Sequence, residues 1–175
     1  MEYAVGENVV HPAHGAGTIV DIQEHEIIEG LTRYYVIEFD VNNLTVSVPV
    51  RRTKQIGLRA VMTEEKFTQV INTLSKRPQQ LPKDYKERRA LLAGLIQSGL
   101  PLKVAEALRE LVWRREDKHL TVADSRMLDQ ARTMLVHEMA LATDTDLPVI
   151  EAAIDDALTE AVAKCMAAAA AEKTH

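Results

Sequence analysis

The chain has 175 residues, 46% hydrophobic and 27% charged, which allows one domain or two small ones and excludes bulk disorder. Aromatics make up 4% and Cys165 is the single cysteine, so the core must be aliphatic, and a disulfide framework or cysteine-based zinc site is excluded. No apolar run approaches a bilayer span, no basic-then-apolar leader opens the chain, and the formal net charge is -5, so a soluble, cytoplasmic protein without a membrane partner is expected.

Residues 5–58 read as β-structure. A short strand over 7–12 ends at Pro12, Gly15 and Gly17 punctuate a turn, and Thr18 to Ile22 resumes with β-branched residues. Glu29-Gly30 marks a second turn before a strand over 33–39. Asn42-Asn43 marks a third before Leu44 to Val48, which alternates apolar and hydroxyl residues with the period of a half-buried strand. Short strands separated by turn signals predict a small antiparallel barrel of the SH3 or Tudor type over residues 1–62.

Helical patterns follow Met62. Thr63 is placed to cap a linker helix over 63–75 with Phe67, Val70, Ile71 and Leu74 on one face. A polar breaker over 75–81 precedes a helix from Pro82 to Gln97. Gly99 stops that helix and Pro101 starts the next. Thr121 with Asp124 predicts a capping box, and Asp146 with Pro148 opens the last helix, which runs into an alanine-rich tail over 163–175. The expected fold class is α+β: a barrel followed by an all-helical bundle of four or five helices over 63–175.

Charge divides the same way. Residues 1–50 carry one basic and eight acidic residues, 51–118 carry 16 basic and 8 acidic, and 119–175 carry 4 basic and 10 acidic. A basic middle segment between acidic neighbours points to a polyanion partner for that segment alone. Its sharpest feature is Lys83-Asp84-Tyr85-Lys86-Glu87-Arg88-Arg89, where helical spacing brings Tyr85, Arg88 and Arg89 to neighbouring surface. A flat ring beside guanidinium groups suits base stacking or wedging while cations hold phosphate. A solvated charged helix face with Tyr85 lying on the bundle accounts for the same residues.

Other groups read as structural. His11 and His14 form an H-x2-H pair without further ligands, so no metal is expected. Trp113 and the methionines at 127, 134 and 139 read as packing residues, and Cys165 as a small buried apolar group. No nucleophile elbow, phosphate loop or metal motif is found, so neither catalysis nor a cofactor is expected.

The stretches Val5 to Gly15, Tyr35 to Ile37, Leu44 to Pro49 and Ile56 to Arg59, then Tyr85 to Arg89, Val104 to Leu111 and Ser125 to Arg132, occur in an order and spacing that resembles the CarD/CdnL family of bacterial transcription factors. The resemblance runs from the N-terminus to about residue 160. It implies a Tudor-like domain that binds the RNA polymerase β subunit, and a helical domain that contacts promoter DNA at the upstream bubble edge and stabilises the open complex. Transferred to this sequence, the DNA-binding residues are Tyr85, Lys86, Arg88 and Arg89, and His25, Ile37, Ser47 and Pro49 are near the polymerase interface. Many relatives have tryptophan where this chain has Tyr85, and some have arginine where it has His25 and Ser47. A monomer is expected. The alternative readings are a non-catalytic RNA-binding module or a protein adaptor.

Overall fold

The computed structural model describes residues 2–41 and 43–173, so Asn42 in the expected third turn and Thr174 and His175 in the tail lie outside the described residues. The chain is α+β. Strands β1 (Asn8–His11), β2 (Gly15–Ile28), β3 (Leu31–Phe39), β4 (Leu44–Pro49) and β5 (Arg59–Ala60) form one antiparallel sheet in the order β4-β3-β2-β1-β5. The edge strands β4 and β5 do not pair with one another, so the expected barrel is open. Val9, Ile19, Tyr35, Ile37, Phe39 and Val48 fill its core, so the expected aliphatic core is here partly aromatic, because the few aromatics are concentrated in β3.

Gly15 closes the expected turn, with φ of +82° where it pairs with His11 across residues 12–14, but Gly17 does not serve it and lies within β2 opposite Val9. At Gly17 the reason is a close approach. A Cβ there would lie 2.5 Å from the Glu38 carbonyl oxygen and 2.6 Å from the Phe39 ring, so only glycine lets β2 cross this point. β2 also continues through Gln23-Glu24-His25-Glu26, whose polarity hid it, because both faces of this arm of the hairpin meet water.

After a 3-10 turn (Val50–Arg52), helix α1 (Thr53–Ile56) and β5 lead into five longer helices: α2 (Glu64–Leu74), α3 (Tyr85–Gln97), α4 (Pro101–Asp117), α5 (Val122–Thr143) and α6 (Leu147–Glu172). The caps follow the sequence. Thr63 Oγ1 accepts from the Lys66 amide, the Thr121–Asp124 capping box forms, and Pro101 sits in the first turn of α4. α3 starts at Tyr85 rather than Pro82, because Asp84 Oδ1 accepts from the Glu87 amide at 2.9 Å and fixes the helix start there. α4 runs through the bundle, burying Val104, Ala105, Ala107, Leu108, Leu111 and Val112 against the other four helices. Met139 is buried in this core, with Met127 and Met134 against it, and Cys165 is buried. Among the described residues no helix is long and apolar enough to cross a membrane.

Candidate functional site

Tyr85 is the first residue of α3 and is 43% exposed at a helix N-terminus, where the backbone presents positive potential. Lys83, Lys86 and Arg89 are exposed around it, and Arg89 Nη1 donates to the Tyr85 hydroxyl at 3.2 Å. Arg88 behaves differently. It is buried, its Nη1 donates to the carbonyls of Pro82 and Lys83 at 3.2 Å each, and its Cζ lies 5.8 Å from the Tyr85 ring centroid. It therefore supports the ring from behind and pins the approach to α3. The four predicted residues form one cluster in which Tyr85, Lys86 and Arg89 face outward.

A buried ionic network positions this cluster. Arg109 donates to Glu110 through Nε and Nη2 and to the Thr73 carbonyl through Nη1, joining α4 to the end of α2. Glu110 Oε1 also accepts from the Gln79 amide at 3.0 Å, which fastens the segment leading to Tyr85 onto α4. Arg114 Nε lies 3.5 Å from Asp124 Oδ2 and ties α4 to α5. Such pairs are costly to desolvate but severe to break, so they specify one geometry more than they add stability.

The predicted barrel residues do not all reach the surface. Ser47 is exposed on the edge strand β4, opposite Val36. His25 is exposed on β2 and stacks on Tyr34 with ring centroids 5.5 Å apart. Pro49 is buried at the end of β4 as the register partner of Tyr34, so His25, Tyr34 and Pro49 are contiguous at that end of the edge. Ile37 is wholly buried between its partners Ile19 and Val46 and belongs to the barrel core.

His11 and His14 stack with centroids 4.6 Å apart, and burial first, then the neighbouring His14, lowers the His11 pKa. No group of three or more metal-ligating side chains occurs among the described residues. A cavity of about 280 Å³ lies between the β1–β2 turn, at Pro12 and His14, and α5, at Met134 and His137. Burial lowers the His137 pKa, with Asp40 and Glu151 opposing it.

Sequence reasoning missed the contacts between sheet and bundle. Arg59, in the edge strand β5, meets Glu138 of α5 through two hydrogen bonds of 2.6 and 2.9 Å and also donates to the Gly99 carbonyl at 2.7 Å. No local pattern signals a pair 79 residues apart.

Residues 3–62 match the family model "CarD-like/TRCF RID domain", and residues 69–155 match "CarD, C-terminal domain". The chain is 28% identical over 137 residues to the "Putative transcription factor YdeB" of Bacillus subtilis (strain 168), covering 78% of this chain and 90% of that relative. Two adjacent domain matches spanning most of the chain, in the family's order and on an α+β fold of the expected kind, show that it belongs to the CarD/CdnL family of transcription regulators.

Proposed function

We propose that this regulator binds the RNA polymerase β subunit through the open edge of its barrel and promoter DNA through the N-terminus of α3, so that it stabilises the open complex without chemistry of its own. The observation that carries the DNA half is Tyr85: an aromatic residue 43% exposed at a helix N-terminus, backed by the pinned Arg88 and flanked by exposed cations. A partly solvent-exposed aromatic held this firmly suits a wedge or stacking platform at an unpaired base step. Lys83, Lys86 and Arg89 would meet phosphate, giving affinity that depends on salt and little on sequence.

The polymerase half rests on the edge strand. β4 presents backbone groups unused by the sheet, with Ser47 exposed midway and Pro49, which lacks an N–H, ending the strand. Strand addition there would supply main-chain hydrogen bonds, with His25 stacked on Tyr34 at one end of the contact. The protein acts as a cytoplasmic monomer in this reading. Preferential binding to the open state by about 1.4 kcal/mol shifts its population tenfold.

The test is the lifetime of promoter open complexes with wild-type protein and with Tyr85→Ala. Tyr85→Ala should lose most of the extension while retaining binding to the isolated β-lobe. Equal lifetimes would reject the wedge, and failure of the folded wild-type protein to bind the β-lobe would reject the tether and favour an RNA-binding or adaptor role.

A further inference from the structure

We infer that Arg59 and Glu138 are positioning residues that hold the barrel and the helical bundle as one lever, so that the anchored barrel fixes where Tyr85 stands. The inference rests on the proposed function for its purpose and on geometry for its existence. Glu138 is 5% exposed and accepts three hydrogen bonds: two from the Arg59 guanidinium and one from the Met62 amide at 2.9 Å. Both its oxygens are thus committed to the segment where the sheet ends and the bundle begins.

Arg59 completes the clamp. Besides the bidentate pair, its Nη2 donates to the carbonyl of Gly99, the residue that turns the chain from α3 into α4. Gly99 has φ of +64°, a backbone conformation that suits glycine, and its amide closes the end of α3 on the Ile96 carbonyl at 3.1 Å. One guanidinium therefore ties the last strand of the sheet to α5 and to the C-terminal corner of α3. A second tie, Asn8 Nδ2 to the Leu141 carbonyl at 3.2 Å, lies one helical turn further along α5 and resists rotation about the first.

The clamp grips α3 at the end opposite Tyr85. Tyr85 and Gln97 bound this helix, about 18 Å apart at 1.5 Å per residue. A tilt of about 10° at the clamp moves Tyr85 by about 3 Å, close to the 3.4 Å spacing of successive bases along a strand. A wedge must enter one base step, so a looseness of this size is enough to misplace it. Lysine at position 59 keeps the charge but loses the bidentate fork, and glutamine at 138 keeps the shape but loses the charge.

The experiment compares the full-length protein with Arg59→Lys and Glu138→Gln, using residual dipolar couplings for the orientation of sheet against bundle and open-complex lifetimes for function. Expected are couplings that no longer fit a single alignment frame, and a lifetime extension reduced about tenfold, while binding to the β-lobe and to a forked duplex stays within twofold of wild type. Arg59→Lys is the milder change, since Arg59 is partly exposed, and it keeps the test open should Glu138→Gln fold poorly. Couplings that fit one unchanged frame in both variants would overturn the clamp. A lifetime that falls only in proportion to lost binding would overturn its positioning role. If wild-type protein does not extend the lifetime, the proposed function fails, while the couplings still decide whether the clamp exists.

Discussion

Arg88 and Arg89 are adjacent in sequence and opposite in role, which makes their alanine variants a sharp test. Arg88→Ala removes a buried guanidinium that donates to the Pro82 and Lys83 carbonyls and lies against the Tyr85 ring. Hydrogen bonds from a charged group contribute about 1.5–3 kcal/mol, and water can replace part of this at carbonyls near the surface, so the variant should lose about 2–3 kcal/mol. For a chain of this size each kcal/mol lowers Tm by about 2–4 °C, so the fall should be about 5–10 °C. Arg89→Ala removes an exposed cation and should leave stability within about 0.5 kcal/mol. On DNA the order reverses. Losing one phosphate contact lowers the slope of log affinity against log salt by about 0.9, and this should occur in Arg89→Ala. Arg88→Ala should weaken binding with an unchanged slope, because only the support of Tyr85 is lost. Thermal denaturation and DNA titrations between 50 and 200 mM salt read both effects. A stable Arg88→Ala with a reduced salt slope would refute the assignment and place this guanidinium on phosphate.

Gly17→Ala should cost about 1–3 kcal/mol, because its methyl group would collide with the Glu38 carbonyl and the Phe39 ring; urea unfolding should show a lower midpoint at constant m. Glu110→Ala should cost about 3–5 kcal/mol by leaving Arg109 charged and buried, whereas an alanine at the exposed Glu116 should cost under about 0.5 kcal/mol in the same assay. Burial holds His11 and His137 below the ordinary histidine value of 6.5, so the unfolded chain binds more protons as pH falls past it. Their contribution is complete above about pH 6.5 and is lost as pH falls through the depressed folded values. Tm should decline between about pH 7 and 5, and His11→Gln/His137→Gln should flatten that decline, with no flattening counting against burial as the cause.

What was legible in the sequence was what neighbours in the chain decide. Thr63, Thr121 with Asp124, and Pro101 fix helix starts through contacts spanning one turn, and the apolar face of α2 follows from the helical period. Pro82 misled because a proline suits a helix start generally, while the Asp84 side chain settles this one. Gly17 misled because glycine serves both a turn and a close approach, and only the position of Phe39 on β3 tells them apart. Ile37, placed near the polymerase interface through the family resemblance, shows the limit for site residues: Tyr34, Tyr35, Val36 and Ile37 are all buried, so both faces of β3 are covered here and no local pattern marks an exposed one. The Arg59–Glu138 clamp had no local signature at all, since its halves meet only after the bundle has folded against the sheet.

The same limit applies to charge, and it changes what the basic segment can do. Of the 16 cations in residues 51–118, Arg59, Arg88, Arg109 and Arg114 turn inward, toward Glu138, backbone carbonyls, Glu110 and Asp124 respectively. All four are arginines, with Arg88 and Arg109 buried and Arg59 and Arg114 partly so, and no lysine in the segment is buried. The division has a physical cause: the planar guanidinium can satisfy a carboxylate and carbonyls at once, while the strongly hydrated ammonium loses more on leaving water. The sequence charge therefore overstates the outward field. Around Tyr85 that field comes from two lysines and Arg89, mostly compact point charges on flexible stems. In the proposed DNA contact, groups of that kind would hold phosphate without reading base edges, so its selectivity would lie in where the ring is held, which returns the burden to the inward-turned arginines.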